Sequence, residues 1–175
     1  LSPTLAPLLT TAFNDAIDTQ HYPDIAKLTK AIALPKNKLS HLPQNNRPIS
    51  LLPIIGKVFD KIINDQLMLH LLTNNILSPT AYAFRPHSDT TLALTNILDH
   101  IINNKKRKIP TLAIYLDLSK AYDTISHAKL LYKLLHNFNF HPNTVAIFRS
   151  YFTNRIQSLH TQHATSDPLL ITHGI

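Results

Sequence analysis

The sequence predicts an α+β fold, helix-rich with short antiparallel strands. Apolar residues recur at helical spacing in separate stretches, over 5–18, 54–72, 88–103, 126–135 and onward from Pro142. Short runs of strand formers lie between them, at 31–34, 46–52, 111–116, 155–161 and 169–172. The first two of these runs flank a basic, polar loop that opens Pro35-Lys36-Asn37-Lys38, so they read as a β-hairpin.

The first helix places Leu5, Leu8, Leu9, Ala12, Phe13 and Ala16 or Ile17 on one face, and His21-Tyr22-Pro23 breaks it. The stretch 54–72 is the strongest helix: Ile55, Val58, Phe59, Ile62, Ile63 and Leu69 form one stripe, with Lys57, Asp60, Lys61 and Asp65 outside it. Lys57 and Lys61 read as a solvated face ahead of a nucleic-acid contact. Beyond Pro79, Ser88 is expected to cap a helix to about residue 103, turning Leu94, Ile97, Leu98 and Ile101 inward. Lys105-Lys106-Arg107-Lys108 then reads as a solvated connection, with a nuclear-localisation or phosphate-binding role as the alternative. Ser126 caps a helix that buries Leu130, Leu131, Leu134 and Leu135. Pro142 opens the next, aligning Val145, Phe148 and Phe152 and pointing Arg149 elsewhere.

At 175 residues the chain has enough length for one ordinary core. It begins at Leu1 rather than Met and ends just after a glycine, so it reads as a piece open at both ends. A net charge of +7 and a pI near 9.7 favour a polyanionic partner, nucleic acid above all. No apolar run is long enough for a membrane helix and no leader pattern opens the chain, so an intracellular protein is expected, nuclear or cytoplasmic, without a membrane. Cysteine, glutamate and tryptophan are absent, and glycine and methionine are scarce. That pattern fits a G-poor coding strand, a hypothesis that codon counts would test, and under it the missing cysteine says little about redox compartment. Two isolated glycines exclude a Walker loop and a dinucleotide fingerprint. His160 and His163 are closely spaced but have no third ligand nearby, which leaves zinc unsupported.

The stretch around which the rest is organised is 111–124, TLAIYLDLSKAYDT. Its apolar first half reads as a buried strand ending on Asp117, with Thr111, Ala113, Tyr115 and Asp117 on one face and Leu112, Ile114 and Leu116 on the other. Ser119 follows as a helix N-cap, with a turn starting at 120–122. A carboxylate at a strand end suits a metal held beside backbone carbonyls. Spacing alone favours an aspartate that caps a helix or joins a salt bridge at a strand–helix corner.

The wording of this stretch resembles the first aspartate motif of reverse transcriptases from non-LTR (LINE-type) retrotransposons. Further resemblances to that family follow in the same order along the chain, from about residue 8 to 175. Leu34-Pro35-Lys36 and then Asn46-Arg47-Pro48-Ile49-Ser50-Leu51-Leu52 resemble its fingers hairpin, with Asn46 in place of the usual tyrosine. Phe84-Arg85-Pro86 and Ser88 match a later phrase in which Ala83 and His87 replace glycines, a change expected to strain the loop. Ser150-Tyr151-Phe152-Thr153-Asn154-Arg155 resembles another phrase, and His173-Gly174-Ile175 corresponds to the residues just before the family's proline-glutamine-glycine motif.

The resemblance implies the fingers (1–108) and the first part of the palm (109–175) of a right-hand polymerase, incomplete at its C-terminal end. It implies an RNA-directed DNA polymerase, a nucleotidyltransferase that copies RNA into DNA from an RNA template, a DNA primer and dNTPs. Two Mg²⁺ ions, or Mn²⁺ in their place, are the implied cofactors. Asp117 would bind both ions and the Leu118 carbonyl would help to hold one. Arg47, and next Lys36, would hold the triphosphate; Tyr122 would stack under the sugar and exclude a 2′-hydroxyl; Arg85 would contact template backbone, or else pack the fingers. Asp123 would be structural. The family's other metal-binding carboxylates come from an adjacent aspartate pair in the later palm, and no such pair occurs in this sequence. The chain by itself is therefore expected to be inactive, since later palm and thumb normally lie in the same polypeptide. A non-enzymatic nucleic-acid-binding remnant of a retroelement and a group II intron maturase are the alternative readings.

Overall fold

The computed structural model describes residues 3–35, 46–161 and 164–174. Its elements run α1 (Leu5–Asp18), a 3₁₀ turn (Asp24–Lys27), β1 (Leu28–Pro35), β2 (Asn46–Leu51), α2 (Ile54–Thr73), α3 (Thr90–Lys106), α4 (His127–His136), α5 (Pro142–Phe152), β3 (Ile156–His160) and β4 (Leu169–Leu170). The sheet order is β2-β1-β3-β4. The expected hairpin is present, with β1 antiparallel to β2 and Leu34 opposite Arg47. β3 and β4 also pair antiparallel. β1 and β3, however, run parallel, Leu28 opposite Ile156, so the sheet is mixed where short antiparallel strands were expected. Parallel neighbours need a long connection, and the chain between β2 and β3 supplies one.

The chain divides into two compact units, Leu1–Gln66 with Lys120–Ile175, and Leu67–Ser119. The core of the first comprises Phe13, Ala16, Tyr22, Ala26 and Phe59. Phe59 is fully buried, stacked on Phe13 at 4.8 Å between ring centroids and tilted against Tyr22 at 5.5 Å. α2 approaches the 3₁₀ turn closely because Gly56 has no side chain: a Cβ there would lie 3.0 Å from Cβ of Ala26. In α5, Val145, Ile147 and Phe152 are buried and Arg149 is exposed. In α4 Leu134 is buried, while Leu130, Leu131 and Leu135 are half-buried. Ser126 caps α4 as expected, its hydroxyl accepting from the Lys129 amide.

Asp60, placed outside the apolar stripe of α2 by its spacing, instead turns inward and accepts a 2.6 Å hydrogen bond from the Tyr22 hydroxyl. Tyr22 is nearly wholly buried, and its hydroxyl needs an acceptor. Burial pushes the Asp60 carboxyl above its usual range, against the opposing pull of the Tyr22 hydrogen bond and the Arg155 charge. Two members assigned to the same stripe, Ile55 and Leu69, are exposed. Lys57 and Lys61 are exposed as read, and Lys61 pairs with Asp65 at 2.9 Å one turn on.

The Leu67–Ser119 unit departs most from the sequence reading. Asp89 rather than Ser88 caps α3, its carboxylate accepting from the Leu92 amide at 2.7 Å, as suits an equally good N-cap one residue closer to the helix. No residue of α3 is buried, and Leu94, Ile97 and Leu98, expected inward, are exposed. The 111–116 run forms no strand: residues 109–118 have no regular structure and are exposed, Leu112 at 85% and Leu116 at 91%. A strand needs a neighbour for its N–H and C=O groups. All four strands of the described sheet belong to the other unit, and among the described residues none pairs with this run.

Phe59→Ala is expected to destabilise the Phe59-centred unit by about 3–5 kcal/mol in chemical denaturation, because a fully buried ring is replaced by a cavity. Asp60 holds its proton more tightly folded than unfolded, so it subtracts stability as pH climbs from about 4 through its raised value and nothing below that range. Denaturation at about pH 4 and pH 7 should therefore show the Asp60→Asn variant gaining on the wild type as pH rises.

Candidate active site

The turn after Asp117 is set by the local chain. Residues 119–124 form turns with Lys120 in the left-handed region at φ +52°, and the Asp123 amide donates to the Lys120 carbonyl at 3.1 Å. The Thr124 hydroxyl lies 3.2 Å from the carbonyls of both Lys120 and Ala121. The turn expected here is present, but no helix follows Ser119 until α4. Asp117 and Leu118 are exposed within the Leu67–Ser119 unit, whereas Tyr122, about half exposed, belongs to the other.

Arg47 lies exposed on β2. Lys36 and His163 fall outside the described residues. Arg85 is half-buried and its Nη1 donates to the Ser78 carbonyl at 3.1 Å, a bond that ties down its own loop. The strain expected there is found at His87, φ +57°, and at Phe84, φ +56°, rather than at Ala83. Lys105 and Lys106 form the last turn of α3, where cations suit the helix dipole, and Arg107 follows at its C-cap.

Two residues that carried no role in the sequence hold the Tyr122–Asp123 turn. Gly174 adopts φ +82°, and a Cβ there would sit 3.1 Å from Cα and O of Asp123 and from O of Tyr122. Its amide donates to the Ile125 carbonyl at 2.9 Å. Its carbonyl accepts from Nε2 of His127 at 2.6 Å, which fixes that ring's tautomer, and the ring stacks on Phe152 at 4.4 Å. One signal was available for Gly174: a rare residue in a chain with only two glycines. Nothing in the spacing marks His127.

Oxygen donors of the kind Mg²⁺ prefers are present as the Asp117 carboxylate and the Leu118 carbonyl, but they fall short in number. Among the described residues no three acidic or histidine side chains group together. The residues in hand therefore do not hold a metal pair by themselves.

The chain matches the reverse transcriptase (RNA-dependent DNA polymerase) family over residues 34–169, a span that includes Arg47, Arg85, Asp117 and Tyr122. It is similar to the RNA-directed DNA polymerase from mobile element jockey of Drosophila melanogaster, 25% identical over 144 residues, 82% of this chain and 16% of that protein. It is also similar to two probable RNA-directed DNA polymerases of the same organism. One, from transposon BS, is 23% identical over 93% of this chain and 18% of its own length. The other, from transposon X-element, is 28% identical over 72% of this chain and 14% of its own length. The chain belongs to the reverse transcriptase family. It spans less than a fifth of the length of these relatives.

Gly174→Ala is expected to cost about 1–3 kcal/mol, from a strained φ and a crowded Cβ. Hydrogen exchange at the 120–125 amides should quicken in that variant while exchange in α1 stays unchanged.

Proposed function

We propose that this chain is the fingers (1–108) and first palm segment (109–175) of an RNA-directed DNA polymerase that copies the RNA of a non-LTR element into DNA. The observation that carries the proposal is the family match over 34–169, which runs through the Asp117 stretch. Template RNA, primer DNA and dNTPs are the substrates of this reading. The basic surface, +7 overall, draws the polyanion by counterion release and makes its affinity fall with salt.

The residues take separate roles. Arg47, on the exposed edge strand β2, offers a planar fork to the triphosphate, and Lys36 adds a point charge. The Tyr122 ring excludes a 2′-hydroxyl by bulk. Arg85 sets its own loop through the Ser78 carbonyl and offers its remaining N–H donors to template backbone. Divalent ions supply charge neutralisation to nucleotidyl transfer in this family. Asp117 contributes one carboxylate to their site, and the rest come from sequence outside this chain.

The 175-residue chain alone is expected to show no templated incorporation of dNTPs. In the longer polypeptide to which it belongs, Asp117→Asn should lower primer extension by at least about a thousandfold, and Tyr122→Ala should admit ribonucleotides. Extension unaffected by Asp117→Asn would remove the assignment, and so would incorporation by the short chain.

A further inference from the structure

We propose that the cavity between β1–β3, the C-terminal end of α5 and the 171–174 segment is a binding site for a phosphate oxyanion, received by the guanidinium of Arg155. The cavity holds about 340 Å³ and is lined by Arg155, Tyr151, Ser50, Gln157, His173 and Asp123 among others. All of its lining lies in one compact unit.

Arg155 is 92% buried, and a guanidinium stays charged wherever it sits. One face is covered by the Tyr151 ring, whose centroid lies 4.1 Å from Cζ. Stacking covers the flat face and leaves the N–H edge to be satisfied. At one corner of that edge it is not: Nη1 is buried and has no hydrogen-bond partner. Among the described residues no carboxylate pairs with Arg155. Asp60 is close enough to feel its charge but forms no ion pair with it, and Oδ1 of Asp60 accepts from Tyr22 at 2.6 Å. A buried cation without a partner costs several kcal/mol, so native proteins normally supply one.

A tetrahedral oxyanion answers that deficit, because the guanidinium fork meets two of its oxygens at once. Arg155 itself lines the cavity. Ser50 adds a second donor: its oxygen accepts from Nε2 of Gln157 at 2.6 Å, which leaves its own proton free to give. The His173 imidazole lies on the same lining. Asp123 opposes an anion, so it sets the affinity from the other direction. The inference does not rest on polymerase activity; a chain that never copies RNA would bind in the same way. The phosphate belongs either to a free nucleotide or to a nucleic-acid backbone.

The test is calorimetric titration of the 175-residue chain with inorganic phosphate, tripolyphosphate and a short single-stranded DNA, in moderate salt. Saturable phosphate binding is expected. It should weaken about ten- to a hundredfold in Arg155→Lys and about tenfold in Ser50→Ala, and tighten in Asp123→Asn. Ser50 and Asp123 are exposed, so those two variants keep the test decisive if Arg155→Lys unfolds. Tripolyphosphate competing with phosphate while DNA does not assigns a nucleotide; DNA competing, with the same Ser50 and Asp123 dependence, assigns a backbone. Absence of saturation, or binding that none of the three substitutions moves, overturns the proposal.

Discussion

The parallel pairing of β1 with β3 is the constraint on which the larger unit depends. It joins Leu28 to Ile156 and Ile32 to His160, residues separated by most of the chain. Closing so long a loop costs entropy that the ladder alone does not repay, and the surrounding contacts make up the difference. The Thr29 hydroxyl donates to the Ile156 carbonyl at 3.1 Å, and the Tyr22 amide donates to the Ser150 hydroxyl at 2.9 Å. Tyr151 meets Tyr22 edge-on at 4.9 Å, bringing α5 against the Phe59 core. Sheet, N-terminal helix and α5 are therefore one cooperative structure built from the two ends of the described chain.

That closure explains why charge is buried in this unit. Lys27 is almost fully buried, yet its ammonium reaches Asp24 at 2.8 Å and Ser150 at 3.5 Å, so it is satisfied at the same junction. The Lys27 bond and charge hold the exposed Asp24 below the usual carboxylate range. Tyr22, Asp60, Tyr151 and Arg155 form a second polar cluster. Burial raises the hydroxyls of Tyr22 and Tyr151, with the Arg155 charge opposing in both, so the two phenols stay protonated and available as donors. The same Arg155 charge opposes the rise at Asp60, so one buried cation acts on all three of its neighbours in the cluster.

Much of this was legible in the sequence, and the failures share a cause. The 3.6-residue period gave α1, α2, α4 and α5 within a residue or two, because each buries a stripe against neighbours that are present. The β1–β2 hairpin followed from two short apolar runs around a basic loop. Periodicity cannot tell which neighbour a face will meet, so Asp60 was read as solvated although Tyr22 needed it. The same blindness put Leu94, Ile97 and Leu98 inside a core that α3 does not build. The parallel register left no local mark at all. Asp117, Arg47, Arg85 and Tyr122 are singled out by wording alone, while His127 and Gly174 act through a tertiary contact that neither residue type announces.

The 111–116 run shows most clearly how sequence and structure can disagree without either being anomalous. Leu112, Ile114 and Leu116 recur at the two-residue period of a strand and are all largely exposed. Covering three such side chains is worth on the order of 5 kcal/mol, enough to order a short strand once its backbone also has a partner. Until then nothing fixes the direction of the Asp117 carboxylate that ends the run. A metal-binding carboxylate must be positioned to within a fraction of an ångström, which an unpaired segment does not provide. Giving this run a pairing partner and fixing the direction of the Asp117 carboxylate are therefore the same physical event.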